Sequence, residues 1–264
     1  MLYNRLNHLF EFRKALCLQK MAELKAENLF SVPGRSAIVT GGGKLRSVHS
    51  SLSRLISRIL GSGLGRMCAR AFFVNGASVV TLIDRDTLRL DAVREELEQL
   101  RKELSLAGEV KTIDGDLGDK NEVQSIIAKI RATNSEVDIL VHCARIRRVN
   151  KIEYSPGEPL EKLFRATSSL SYDDIEVSFR VNVLAQYFLT AGLVDYLGAA
   201  AKKGGGRGCV ICFSSVASKH NAQFVPAYQM TKAAVDHLVK IMAAEFAEFY
   251  SETAFNASYL PLLF

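Results

Sequence analysis

The feature that most constrains this chain is the regular alternation of short apolar runs with longer amphipathic segments. Residues 36–40, 78–83, 110–113, 137–142 and 209–213 are compact runs rich in β-branched residues and read as strands. Between and after them, residues 64–73, 87–106, 120–131, 172–197 and 226–250 carry the 3.6-residue periodicity of helices, while 146–170 reads as irregular and 204–208 as a glycine-rich turn. Strands that alternate with helices connect by right-handed crossovers and pair in parallel, and a parallel sheet needs helices over both faces. The expected fold is therefore α/β: a doubly wound parallel sheet in a three-layer αβα arrangement. In such a sheet the chemistry gathers just after the carboxyl ends of the strands.

With 264 residues, 48% of them hydrophobic, the chain can build a full core. A mean hydropathy of +0.08 and the lack of a long uncharged apolar run speak against a transmembrane helix, so no membrane partner is expected. The net charge of +6 resides in two places, +3 in residues 1–20 and +4 in 44–60. The remaining body is close to neutral and has no basic stripe interleaved with aromatics, which argues against a nucleic-acid partner. Five scattered cysteines suit a reducing, cytoplasmic setting. Cys209 and Cys212 form a C-x-x-C, but three residues along a strand they face opposite ways and read as core thiols. His8, His49, His142, His220 and His237 show no metal-ligand spacing, and no metal site is expected.

Glycines cluster where the first strand ends, as Thr40-Gly-Gly-Gly43, and again in Gly61-Ser-Gly-Leu-Gly65 where a helix opens. Such glycines let the backbone approach a pyrophosphate, whose charge the amides and dipole of a helix N-terminus can meet. Asp84, about 20 residues beyond at the end of the second strand, has the placement of an acid that accepts hydrogen bonds from an adenosine ribose. Downstream, Ser214-Ser215 closes a strand and Tyr228-Gln-Met-Thr-Lys232 begins a helix. Tyr and Lys four apart share a helical face, which brings an ammonium near the phenol for acid/base work, and the serine hydroxyl can hold a substrate oxygen.

These residues, over about 30–257, resemble the short-chain dehydrogenase/reductase family, a Rossmann-like group of NAD(P)-dependent oxidoreductases. The family's T-G-x-x-x-G-x-G is matched by Thr40, Gly41, Gly63 and Gly65, and its catalytic set by Asn182, Ser215, Tyr228 and Lys232. The resemblance implies that Tyr228 moves the proton, Lys232 tunes it and binds the nicotinamide ribose, Ser215 orients the carbonyl and Asn182 supports a water relay. It further implies a cofactor site of Thr40, Gly41, Ser62, Gly63, Leu64, Gly65, Asp84, Arg85, Asp116, Leu117 and Ala144, together with Tyr228 and Lys232. Asp84 points to NAD(H), while Arg85 can meet the 2′-phosphate of NADP(H). The activity implied is interconversion of a ketone and a secondary alcohol, in a homo-dimer or tetramer. The sequence from Asn28 to Val32 and the long helix pair resemble fungal reductases of the 3-oxoacyl-carrier-protein type.

Three departures set up the alternative, a non-catalytic relative that at most binds a partner. Residues 44–60 are wedged into the glycine loop; removing them with one glycine restores Thr-Gly-Gly-Gly-Ser-Gly-Leu-Gly in frame, as a translated intron would. A basic amphipathic helix is the competing reading of that insert. The family's Asn-Asn-Ala-Gly is here His142-Cys-Ala-Arg145, with a long cation in the place of glycine. Finally, the chain stops at Phe264, where the resemblance implies a last strand and a lid, with residues 255–257 as the strand's beginning. At the front, 1–30 is read as an extension to a domain spanning 31–264, with Met21 as a natural start and a mitochondrial presequence as the rival.

Overall fold

The computed structural model describes residues 31–41, 63–221 and 224–246, together with the backbone of a strand at Phe255–Ser258. Residues 1–30, the insert 44–60 and Ser62 lie outside the described residues. The strands are β1 (Ser36–Thr40), β2 (Val79–Asp84), β3 (Glu109–Asp114), β4 (Ile139–His142), β5 (Cys209–Phe213) and β6 (Phe255–Ser258). They form one parallel sheet in the order β3-β2-β1-β4-β5-β6, the doubly wound order with its reversal between β1 and β4.

Side chains alternate along the central strands, and each face has its own core. Ile38, Leu140, Val210 and Cys212 pack with α3 (Lys120–Thr133), α6 (Ala185–Gly192), α7 (Val194–Ala201) and α8 (Pro226–Phe246). Ala37, Val39, Ile139 and Val141 face the other way, onto α1 (Leu64–Val74) and α2 (Thr87–Glu103). Burial on both faces is why these strands read as continuous apolar runs. Local capping agrees with the crossovers: the Asp86 and Asp119 side chains accept from backbone amides in the first turns of α2 and α3.

Two expectations need correction. The irregular 146–170 contains a short helix, α4 (Leu160–Thr167), entered from Pro159. The helix expected over 172–197 is divided into α5 (Tyr172–Phe179), a π-turn (Arg180–Leu184), α6 and α7, with a 61° bend before α7. The bend falls at Leu193, beside Gly192, where a Cβ would lie 2.7 Å from Ile127 Cδ1 and the backbone packs closely on α3. The carbonyl freed at Gly192 accepts from Arg131 Nη1 at 2.9 Å, and Arg131 also grips Asp195 through two hydrogen bonds of 2.8 and 2.7 Å. Among the described residues no single helix is long and apolar enough to cross a membrane.

At the amino ends of the central strands, opposite the carboxyl ends where the crevice lies, Asp138 is wholly buried and ties three segments together. One oxygen accepts from the Ser36 amide at 2.8 Å and the other from Arg207 Nη1 at 2.6 Å. Removing the carboxylate strands both donors. Asp138→Ala is expected to destabilise the fold by about 3 kcal/mol, read from urea unfolding. A loss below half that value would show that water replaces the carboxylate.

Candidate active site

The crevice is built where β1, β4 and β5 end. Thr40 is buried, and its Oγ1 accepts from the Ala144 amide at 3.2 Å, holding the end of β1 to the segment after β4. Gly41 follows with φ +70°, and a Cβ there would lie 2.7 Å from the Ala144 backbone and 2.9 Å from the Cys143 carbonyl carbon. No other residue fits, so the glycine is required by both conformation and close approach. On the far side of the insert, Gly63 has extended backbone and starts α1, Leu64 is half-buried and Gly65 is buried. A narrow, side-chain-free wall beside a helix N-terminus is what a dinucleotide pyrophosphate needs, so the residues present fit that group.

The sequence-expected adenosine residues also come together. Asp84 ends β2, and its Oδ1 accepts from the Asp86 amide at 3.2 Å. Arg85 Nη1 lies 3.2 Å from Asp116 Oδ2, so the candidate 2′-phosphate ligand is paired with the candidate adenine contact. Asp116 is itself fixed by accepting from the Gly118 amide at 2.7 Å, while Leu117 is buried beside it.

Tyr228 and Lys232 stand one turn apart on α8, both buried, with Lys232 Nζ 5.6 Å from the Tyr228 ring centroid. The ammonium donates to the Phe213 carbonyl at the end of β5, at 2.5 Å. Burial, reinforced by the charge of Arg145, pushes Lys232 down to about 8. The two serines of the expected pair separate in role. Ser214 is buried and donates to the Asp236 carboxylate. Ser215 is half-exposed, and its oxygen accepts from the Ala217 amide at 3.2 Å, capping a single 3-10 turn (Val216–Ser218). Its proton is left for an acceptor in the crevice.

Asp236 was not singled out from sequence, although it continues the Tyr228, Lys232 spacing by another four residues. Burial alone would raise its carboxyl, but hydrogen bonds from Ser214 and Ser218 and the Lys219 ammonium at 3.0 Å hold it below the usual range. It locks the Ser214 end of β5 to α8, the helix that carries Tyr228 and Lys232.

Asn182 is fully buried in the π-turn, whose i→i+5 register is seen in the Ala185 amide donating to the Arg180 carbonyl. Its Oδ1 accepts from the Ile146 amide at 2.8 Å, and its Nδ2 donates to the Ile146 carbonyl at 2.9 Å and to Thr231 Oγ1 at 3.0 Å. The side chain is thus a clamp holding the segment after β4 against α8. Its own carbonyl accepts from Gln186 Nε2 at 2.8 Å. His142 belongs to the core: burial drives it down to about 3. Because Thr190 donates to the Gln186 carbonyl, its oxygen accepts from His142, which therefore carries its proton on Nε2. Cys212 is likewise inert, its thiol pushed up to about 12 by burial.

Arg145 is half-buried and close enough to lower Lys232. Arg145→Gly is expected to raise the Lys232 titration, followed by NMR of lysine-labelled protein; an unmoved titration would place the guanidinium outside the crevice.

A family model for short chain dehydrogenases matches residues 60–250. The chain is 28% identical over 229 residues to the short-chain dehydrogenase/reductase PhomF of Diaporthe leptostromiformis, covering 86% of this chain and 69% of that protein. A metagenomic short-chain oxidoreductase solved with NADP superposes with a TM-score of 0.60 at 24% identity, over 82% of this chain and 78% of that one. A 3-oxoacyl (acyl-carrier-protein) reductase from Agrobacterium tumefaciens C58, with NADP bound, gives 0.63 at 22% identity over 89% and 72%. With the glycine wall, the Tyr-Lys helix and most of the chain's length in agreement, this protein belongs to the short-chain dehydrogenase family of NAD(P)-dependent oxidoreductases.

Proposed function

We propose that the chain interconverts a ketone and a secondary alcohol. The observation that carries this reading is the Lys232 ammonium held beside the Tyr228 ring and tied to the Phe213 carbonyl at the end of β5. In that reading Tyr228 gives its phenolic proton to the carbonyl oxygen during reduction and takes it back during oxidation. Ser215 donates to the same oxygen, and Lys232 favours the phenolate and holds the nicotinamide ribose. Asn182 positions the wall after β4 and presents its carbonyl to a relay water. The nicotinamide supplies or accepts the hydride when bound. Thr40, Gly41, Gly63, Leu64, Gly65 and Ala144 would hold its phosphates and ribose, with Asp84, Asp116 and Leu117 around the adenosine.

Asp84 would repel a 2′-phosphate, and NAD(H) is the cofactor we propose. A second reading, NADP(H), is favoured by the NADP bound in the structural neighbours and would require Arg85 to leave Asp116 for the phosphate. Parallel titrations of NADH and NADPH decide between them. NADH is expected to bind at least about tenfold tighter, and the reverse order would overturn the choice. The partial exposure of Leu184, Tyr187 and Phe188 on the π-turn and α6 supports assembly into a homo-dimer or tetramer through this face. A cytoplasmic location and a fungal 3-oxoacyl-carrier-protein reductase-like subtype complete the proposal.

A further inference from the structure

The turn that carries Ser215 is held from both of its ends by one carboxylate. Ser214, just before the turn, is buried and donates its hydroxyl proton to Asp236 Oδ1. Lys219, just after it, is exposed, yet its ammonium reaches back to Asp236 Oδ2 at 3.0 Å. Asp236 is itself buried on α8, one turn beyond Lys232 and two beyond Tyr228. Between these anchors the 3-10 turn is closed by local bonds, from the Ala217 amide to Ser215 Oγ at 3.2 Å and from the Ser218 amide to the Ser215 carbonyl at 3.0 Å. Ala217 packs with Val225 and Tyr228 in a small buried cluster, which seats the turn on the start of α8.

We propose that Asp236 is a positioning residue of the reaction: by bracketing residues 214–219 it fixes the Ser215 hydroxyl relative to Tyr228, and it acts on catalysis through Ser215. That Asp236 holds the turn stands on the geometry alone, whereas its effect on turnover rests on the function proposed above.

Ser215 cannot hold itself in place. Its backbone is extended and its side chain caps an amide two residues further on, so that bond moves with the turn and fixes nothing relative to α8. The polar links that do cross to α8 come from either end of the turn and converge on Asp236. Stability does not explain the arrangement. A buried carboxylate gives up its hydration, and a pair with an exposed lysine returns little because water screens it. An apolar side chain packed like the neighbouring Val235 and Val239 would suit the core at least as well. What the carboxylate adds is direction, with one acceptor oxygen for each end of the turn. Displacing a reacting group by about an ångström can slow a reaction about a hundredfold, so that direction matters to a hydroxyl that must meet a carbonyl oxygen.

The test is a double-mutant cycle in the full chain, with ketone reduction followed by nicotinamide absorbance. D236N keeps an oxygen for Ser214 and gives up the ion pair, while K219M removes the same pair from the exposed side, where folding is least at stake. Each is expected to lower kcat about tenfold with the KM for the nucleotide unchanged. In an S215A background neither should lower kcat further, because the hydroxyl they position is already gone. A merely structural role would slow the S215A chain by the same factor again, and that additivity overturns the proposal, as does full activity in both single variants. Hydrogen exchange supplies a readout that needs no turnover. The Ala217 and Ser218 amides should exchange at least about tenfold faster in both variants, while amides of β1 and β2 keep their rates. Unchanged exchange at the turn overturns the bracket. If the parent chain reduces no ketone of the panel, the proposed function fails, and faster exchange at these two amides still establishes Asp236 as the anchor of the turn.

Discussion

Tyr228→Phe is expected to lower kcat about 10³-fold with little change in KM, because acid/base transfer from a positioned side chain is worth two to four orders of magnitude. The ring would keep its place in the Ala217, Val225 and Tyr228 cluster, so the loss would fall on the proton rather than on packing. Lys232→Met should behave differently, weakening nucleotide binding as well as turnover, since the ammonium is proposed to serve both. Ser215→Ala should cost less than either, because its backbone cap is a single amide contact. The measurement is nicotinamide absorbance against a panel of ketones, made in whichever form of the chain binds nucleotide. If the Phe variant kept more than a tenth of the activity, the proton would have to come from elsewhere.

Removing residues 44–60 together with one glycine is expected to tighten nucleotide binding by about 10² or more. The reason is geometric. In the proposed cofactor site Gly41 and Gly63 would hold the same phosphates from the two sides of the insert, and misplacement by about an ångström is enough to cost two orders of magnitude. Thermal shift or fluorescence titration of the two forms decides. If only the shortened chain binds, the insert is an error carried in the message, and Arg145 is tolerated beside the site. If both bind equally, the insert loops out and has a role of its own. Sequencing the transcript then asks the complementary question, whether the segment is spliced away.

Most of the architecture was legible because buried parallel strands and amphipathic helices leave strong periodic signals. β1 and β5 occupy the expected residues, and the Tyr228–Lys232 pair is on one face of α8 as four-residue spacing requires. What was not legible depends on contacts between distant segments. The π-turn that aims Asn182 has no periodicity of its own; it is stabilised by Ile146 and Thr231, far away in sequence. The break before α7 falls at Leu193, next to the close approach of Gly192 to Ile127, which only the packed fold brings together. The division of labour between Ser214 and Ser215 likewise needed Asp236, whose carboxylate claims the first of them. The helix α4 is only eight residues long, and its Leu160, Leu163 and Phe164 carry a helical spacing that a reading by long periodic runs passes over.

The burial of Lys232 has a thermodynamic consequence for the whole fold. Its ammonium titrates near 10.5 when the chain is unfolded and at about 8 in the folded protein. Below pH 8 both states are charged and the folded chain bears the full desolvation cost. Between 8 and 10.5 the unfolded state holds a proton that the folded state does not, so this residue's contribution to stability rises with pH. Above 10.5 both are neutral and the cost is gone. The difference amounts to about 3 kcal/mol, a sizeable share of the net stability of a typical domain. At neutral pH the residue proposed to drive the chemistry therefore works against folding, and an anion settling beside it stabilises the native chain by relieving that opposition.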